Sequence, residues 1–394
     1  MASTKIVLLL NKSKKNDEAP LYLRIIKDRK PKYVSLGISV LPKFWDENNQ
    51  CVRPKHPNSA RINNFIQHKK AEATDVILCM VQESRYVKTS VLKDAIRGLS
   101  PMNFISYADN YIGSLRVKGN IGTYRRNKAI LNKLKNFIGR DEFLFSDFTI
   151  SFLKDYEAYL YKALNNSQNT ITTNFKTLCR IFNEAVREDL VPAESNPFLK
   201  YKTKWETTEK VFLTEEELAS FEALVLKSDS KKYHFRNMYV FACYAGGIRI
   251  ADLLRLKWEN YDGRHILLST RKTGSVVSIM LPSKAMEILS IYHTKSSKKN
   301  DFIFPLMKPE DEFLPPDRQF NVIASLTAQA NRDLRVLAFL ACIEKHIHFH
   351  TSRHTWATRA LRKGMRIEYV SKLMGHSSIK TTQVYAKIVN ADLD

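Results

Sequence analysis

The chain has 394 residues, 44% of them hydrophobic, which is enough for two or three domains with separate cores and excludes a disordered chain. Its 63 Lys and Arg against 40 Asp and Glu give a formal charge of +23, which favours a polyanionic partner such as nucleic acid. An anionic membrane surface is the competing partner. No apolar run approaches the ~20 residues of a spanning helix, so we expect no membrane partner and a cytoplasmic, nucleoid-associated location.

The N-terminal segment alternates apolar and polar residues in three stretches, "KIVLLL", "LYLRIIKD" and "KYVSLGISV", separated by turn-like sequences. This pattern predicts a small three-stranded sheet. A polar helix follows over about Ser59 to Glu83, and a shorter helix is opened by Ser90. We expect residues 1–100 to form one domain.

Residues 101–200 change to a helical pattern. Four segments carry apolar residues at helical spacing: "NFISYADNYIGSLRV", "TYRRNKAILNKLKNFIG", "TISFLKDYEAYLYKAL" and "TITTNFKTLCRIFNEAV". Pro192 and Pro197 stop the periodicity, so a four-helix domain is expected to end near them. The lysine-rich residues 201–212 are predicted to be an exposed linker that lies along a phosphate backbone.

Residues 213–394 are predicted to be a third, mostly helical domain. Thr214 and Glu217 have the spacing of a capping box, and "HILLST", "RKTG" and "SVVSIMLP" indicate a strand, a tight turn and a strand. The apolar stretch "VLAFLACI" (336–343) is interpreted as a buried helix turn. The predicted fold class is therefore multidomain and mainly α-helical with small β-sheets.

Four histidines lie close together in the stretch "HIHFHTSRHTW" (346–356), which raises the possibility of a metal site. His350 and His354 have the spacing of zinc ligands on a helix, but Thr351 stands where a zinc protease motif needs glutamate. From Lys345 to Ile367 there are six Lys or Arg and no Asp or Glu. A cation would be repelled there and a phosphate attracted, so we expect no metal and no cofactor.

Five short stretches, the last two of them joined in one sequence, hold polar residues that packing alone does not require. They contain Arg249 in "AGGIRIADLLRLKW", Lys272 in "RKTG", His350 and Arg353 in "HTSRH", and His376 and Tyr385 in "LMGHSSIKTTQVYAKI". Each also has an ordinary structural explanation. Arg249 could be a surface ion-pair residue, Lys272 a solvated turn residue, His346 and His348 residues of a strand edge, His354 a core histidine, and Tyr369 and Tyr385 packing residues.

Taken in order, these stretches resemble the tyrosine recombinase (phage integrase) family over about residues 213–391. Residues 103–200 resemble its helical core-type DNA-binding domain, and "LYLRIIKDRKPKYVSLGISVLPKFWD" resembles an arm-type DNA-binding domain of mobile-element integrases. The resemblance implies that Tyr385 is the nucleophile. The activating residues that it implies are Arg249, Lys272, His350, Arg353 and His376. Two departures, Trp356 where Phe is common and the glycines of "AGGIRIAD", remove no catalytic group.

The implied chemistry is attack by a phenol oxygen on a DNA phosphodiester. Two arginines would stabilise the negative charge that builds up on the phosphate oxygens. His350 is the expected proton acceptor, Lys272 the acid for the leaving 5′ oxygen, and His376 a hydrogen-bond donor to the phosphate.

The family further implies double-stranded DNA partners with core and arm sites, a tetramer on synapsed DNA, and accessory DNA-bending or directionality proteins. The expected reaction is site-specific recombination that integrates, excises or inverts a mobile element. A type IB topoisomerase, which only nicks and reseals one strand, and a non-catalytic DNA-binding regulator are the alternatives. The arm-type resemblance argues against the first, and the complete set of six active-site residues against the second.

Overall fold

A computed structural model describes residues 3–12, 17–27, 30–83, 102–140, 142–272 and 274–391. The chain divides into two compact units, Met1–Glu206 and Thr207–Asp394, with the boundary inside the segment predicted to be a linker. Helices dominate both units and every sheet is small and antiparallel, so the predicted fold class is confirmed.

The N-terminal sheet has three antiparallel strands in the order β1-β2-β3: β1 (Ser3–Leu8), β2 (Ala19–Lys27) and β3 (Lys30–Val40). Alternation puts one face of the sheet into a core that also receives Ile66 and Ala73 of helix α1 (Ser59–Glu83). Two short strands, β4 (Trp45–Asp46) and β5 (Cys51–Val52), pair between the sheet and this helix. The shorter helix predicted from Ser90 lies outside the described residues.

Four helices follow, as predicted: α2 (Phe104–Val117), α3 (Ile121–Ile138), α4 (Ile150–Lys162) and α5 (Gln168–Arg187). Side chains define their ends. The Asn103 side chain accepts hydrogen bonds from two backbone N–H groups at the start of α2, and Thr149 caps α4 in the same way. Buried aromatic residues, among them Phe104, Phe148 and Phe182, fill the space between the helices.

The predicted linker after these helices, residues 201–212, makes specific contacts along part of its length. The Thr172 hydroxyl donates a 2.7 Å hydrogen bond to the Lys204 carbonyl, and the Asn169 amide bonds both backbone groups of Glu206 at 2.9 Å. The Lys176 ammonium lies 4.7 Å from the centre of the Trp205 ring. Residues 204–206 are therefore exposed, as predicted, but they are fastened to α5.

The second unit contains eight α-helices and one hairpin in its described residues. They are α6 (Glu215–Glu222), α7 (Lys231–Tyr244), α8 (Ile250–Leu253), β6 (His265–Ser269), β7 (Val276–Met280), α9 (Ser283–Tyr292), α10 (Pro316–Leu340), α11 (Phe349–Arg362), α12 (Ile367–Leu373) and α13 (Gln383–Ala391). Thr214 and Glu217 form the predicted capping box at the start of α6. Helix α7 crosses the middle of the core and packs against α11.

One apolar prediction in this unit is wrong in part. Leu337, Ala338 and Ile343 are buried, but Val336, Phe339 and Leu340 are exposed to 44%, 81% and 54%. The stretch 336–343 ends an amphipathic helix, so only one side of it faces the core. In the described ranges, no helix combines the length and apolar character needed to cross a bilayer.

Candidate active site

Arg353 lies on α11 and is almost completely buried, with 4% of its surface exposed. Its Nη1 donates a 2.9 Å hydrogen bond to the Gly247 carbonyl, and its Nη2 donates to the Met374 carbonyl. These two contacts fix the plane of the guanidinium and leave other N–H groups for a ligand.

Gly247 belongs to the loop between α7 and α8, and the close approach of Arg353 explains why this position is glycine. Its φ is +60°, and a Cβ built on it would lie 3.0 Å from both Cα and Cγ of Arg353. Any side chain at position 247 would therefore displace the guanidinium or strain the loop.

Arg249 directly precedes α8, and its Nη1 is buried without a hydrogen-bond partner among the described residues. Asp252 lies in the same cluster, where its Oδ1 accepts a 3.2 Å hydrogen bond from the Arg271 backbone. Burial raises the pKa of Asp252, although that hydrogen bond and the charges of Arg249 and Arg353 oppose the rise. Burial and the charge of Arg249 lower the pKa of Arg353 to about 10. The charges of two arginines thus act on a single carboxylate, and an anion would satisfy the donors that remain.

Lys272 is exposed in the turn between β6 and β7. The neighbouring Gly274 has φ +68°, as a tight turn requires, while Thr273 lies outside the described residues. After burial and the charges of Arg353 and Arg249, the Lys272 charge also lowers the pKa of His350 and His376, as expected for a lysine near the same cluster.

His350 and His376 are both neutral near pH 7. Removal of water by the surrounding protein, followed by the charge of Arg353, lowers the pKa of each to about 4, although the His350 side chain reaches the surface. The Nδ1 of His376 makes a 2.8 Å hydrogen bond with the Thr382 hydroxyl, which fixes the ring. Its other nitrogen has no protein partner among the described residues.

Tyr385, on α13, is 5% exposed, and its hydroxyl lies 2.8 Å from Nδ1 of His354. The ring packs in a small apolar cluster with Trp356, Val370 and Met374. Burial raises the pKa of Tyr385, while the charge of Arg353 acts in the opposite direction. The phenol is therefore protonated near pH 7 and lies within reach of the arginine cluster.

The structure thus brings together the six candidate residues predicted from the sequence. One predicted contact differs, the hydrogen-bond partner of the Tyr385 hydroxyl. The sequence favours His350 as the partner of the Tyr385 hydroxyl, whereas the hydrogen bond runs to His354. The physical reason is that His354 lies one turn further along α11, two residues before Trp356, which belongs to the apolar cluster that holds Tyr385.

Three other residues that the sequence analysis considered lie outside the set of six: His346, His348 and Tyr369. The interpretation of His346 and His348 as strand-edge residues is wrong, because neither belongs to a strand. His348 instead caps the start of α11, with its Nδ1 2.7 Å from the Thr351 hydroxyl. Tyr369 is 56% exposed, away from the buried cluster around Tyr385.

Three residues with polar contacts in the site are missed by the sequence patterns: Asp252, His354 and Thr382. For the first two, the spacing along the chain contains a usable signal. Asp252 follows Arg249 by three residues, and His354 follows His350 by four, so both spacings put the pair on one side of a helix. Nothing in the sequence indicates that Thr382 meets His376.

Within the part of the chain that the structure describes, no three side chains of His, Cys, Asp or Glu come together as a potential metal site.

Comparison with known proteins identifies three regions. Residues 211–391 match the phage integrase family, residues 103–203 match the phage integrase SAM-like domain, and residues 6–93 match an arm DNA-binding domain. The chain belongs to the phage integrase family. It is a tyrosine recombinase, and it is 28% identical over 261 residues to the tyrosine recombinase XerC of Bacillus subtilis, covering 65% of this chain and 80% of that protein.

Solved structures of phage integrases share the fold. A lambda integrase dimer bound to a COC′ core site is 16% identical with a TM-score of 0.56, covering 95% of this chain and 93% of that one. A lambda integrase tetramer bound to a Holliday junction is similar, with 16% identity, a TM-score of 0.53, and coverage of 93% and 95%.

Proposed function

We propose that this tyrosine recombinase is a site-specific integrase of a mobile DNA element, which cleaves and rejoins strands through a 3′-phosphotyrosyl intermediate on Tyr385. The observation that carries the proposal is the unpartnered, buried Nη1 of Arg249 beside the fixed guanidinium of Arg353. Buried donors without acceptors are costly, and a phosphate oxygen is an acceptor of the right charge.

In the cleavage step, the Tyr385 oxygen attacks the scissile phosphorus and the 5′ oxygen leaves. Negative charge builds up on the non-bridging oxygens, where Arg249 and Arg353 stabilise it. His350 and His376, neutral rings beside these arginines, each donate one hydrogen bond to the phosphate. Lys272 gives a proton to the 5′ oxygen, and the phenol proton passes to a neutral histidine of α11. This chemistry requires no cofactor, because the phosphotyrosyl bond conserves the energy needed for resealing.

The N-terminal sheet supports an arm-type DNA contact. Strand register aligns Lys5, Arg24 and Tyr33 side by side across the three strands, on the face opposite the core. The Nε of Arg24 is buried without a partner in the described residues. A row of basic and aromatic side chains on a sheet of this size suits a nucleic-acid groove.

The helical domain supports a core-type contact. A groove of about 350 Å³ lies between α3, α5 and residue 205, and its lining includes Arg126, Lys133, Asn169, Thr173 and Trp205. Basic and amide side chains of this kind hold phosphates and base edges. Because similar integrases have been solved as a dimer on a core site and as a tetramer on a Holliday junction, we propose double-stranded DNA as partner and a tetramer on synapsed DNA. Because DNA is the proposed substrate, we place the protein at the nucleoid. We also propose that accessory DNA-bending proteins bring the arm sites and core sites together.

The experiment that tests this proposal mixes two differently marked duplexes in one tube. A recombinase joins them into hybrid products. A type IB topoisomerase would only relax supercoiled DNA, and a non-catalytic regulator would bind without covalent linkage. Absence of hybrid products on a duplex that the protein demonstrably cleaves would contradict the proposal.

A further inference from the structure

The hydrogen bond between Tyr385 and His354 joins the proposed nucleophile to a histidine outside the set of six. The hydroxyl lies 2.8 Å from Nδ1, and both side chains are buried, to 5% and 8% exposure. The two rings lie 5.6 Å apart between centroids at 45°, so the contact is through the polar atoms and not a stack.

We infer that His354, and not His350, is the catalytic residue that accepts the phenol proton when Tyr385 attacks DNA. This inference rests on the proposed function, because it assigns one step of the phosphotyrosyl reaction. Geometry is the first argument, since a general base must lie within hydrogen-bond reach of the proton that it removes.

The protonation state of His354 agrees with this role. Burial lowers its pKa to about 3, and the neighbouring side chains of His350, Lys210, His348 and Arg353 add to the effect. The ring is therefore neutral at neutral pH, and in the tautomer that carries its proton on Nε2, Nδ1 offers a lone pair to the phenol proton. Protonated His354 is unfavourable beside Lys210 and Arg353 until the attacked phosphate gains negative charge, so proton transfer is coupled to attack.

His350 has different surroundings. Its side chain is exposed, and its ring meets His354 edge-on at 4.8 Å between centroids. After burial, and together with His348, the arginine and lysine side chains that lower its pKa are Arg353, Arg249 and Lys272. These neighbours lie at the phosphate end of the site. The i and i+4 spacing thus puts both histidines on one side of α11, one turn apart. His350 lies at the phosphate end of the site and His354 lies beside the nucleophile.

The step balances without an added reactant. The Tyr385 oxygen forms a bond to phosphorus while its proton moves to Nδ1 of His354. The bond between phosphorus and the 5′ oxygen breaks as Lys272 donates a proton to that oxygen. Rejoining runs both transfers in reverse, so His354 returns its proton to the phenol.

The test compares His354→Asn with His350→Asn, each made with natural tyrosine or with a more acidic, ring-fluorinated tyrosine at position 385. In His354→Asn the side-chain amide oxygen would occupy the place of Nδ1 and keep a hydrogen bond without accepting a proton. Covalent adduct formation is timed on a duplex nicked near the cleavage point. Circular dichroism and DNA binding report on folding, and His354→Gln is the substitute variant if His354→Asn does not fold.

We expect His354→Asn to slow adduct formation ~10²- to 10⁴-fold, the usual contribution of a general base, and the acidic phenol to recover most of that loss. The loss caused by His350→Asn should be unaffected by the fluorinated ring. His354→Asn with wild-type speed, or recovery for His350→Asn alone, would overturn the inference. Failure of the unmodified protein to form any adduct on Tyr385 would instead contradict the proposed function.

Discussion

Gly247 and Arg353 lie so close together that a side chain at position 247 would press against Arg353. The Gly247 carbonyl accepts the Nη1 hydrogen bond of Arg353, and a Cβ on the glycine would lie only 3.0 Å from two Arg353 carbons. A backbone position in the left-handed region thus holds the guanidinium that is proposed to bind the scissile phosphate.

We predict that Gly247→Ala greatly slows strand cleavage and lowers the free energy of unfolding by ~1–3 kcal/mol, because it combines a left-handed φ with a clash. Gly119→Ala is the matched control. Its φ is +75°, but nothing lies within 4 Å of the added Cβ, so it should cost stability and leave cleavage unchanged. Equal loss of cleavage in both variants would show that Gly247 does not act through Arg353.

The site histidines predict a pH dependence of stability. Their pKa values in the folded protein, about 4, 3 and 4 for His350, His354 and His376, lie below the ordinary value of 6.5. Between about pH 6.5 and 4 the unfolded chain therefore binds more protons than the folded one, and the free energy of unfolding should fall as pH falls.

This pH dependence is measured by urea unfolding at a series of pH values. Replacing His354 by Asn should flatten the slope below pH 6.5. His346, an exposed histidine next to the same helix, is the position for the matched control substitution. An unaltered slope in the His354 variant would argue against a buried neutral ring at this position.

The N-terminal sheet predicts a separation of binding functions. Arg24→Ala and Tyr33→Ala should weaken binding to arm-site DNA and recombination that depends on it, while cleavage of an isolated core site persists. Electrophoretic mobility shifts on arm and core duplexes measure the two affinities. Lys43→Ala, a basic exposed residue outside the strands, is the control. Equal weakening of core-site cleavage by the sheet variants would refute an arm-specific role.

A phosphate site built from cations predicts that strand cleavage continues in EDTA. The measurement is adduct formation before and after chelation. Loss of cleavage that is restored by added zinc would instead support the metal interpretation of the histidine stretch.

Sequence patterns predict the helices, the hairpin and the capping box well, because periodicity and turn residues are local signals. They do not predict the fastening of residues 204–206 to α5, or the exposed side of residues 336–343, since both depend on which surfaces meet in three dimensions. The same limit applies in the site. Arg249, Arg353 and Tyr385 are identifiable by order and spacing, whereas the choice between His350 and His354 as partner of Tyr385 depends on how α13 packs against α11.

The identity of the nucleophile is the central claim, and Tyr385→Phe tests it most directly because it removes only the attacking oxygen. Folding and DNA binding should survive, while the covalent adduct on a nicked substrate disappears. Tyr369→Phe, at an exposed tyrosine sixteen residues earlier, should leave the adduct intact. Mass spectrometry of the adduct formed by the unmodified protein should locate the nucleotide on the segment "TTQVYAK". An adduct on Tyr369 or on a serine, or one that persists in Tyr385→Phe, would contradict the account.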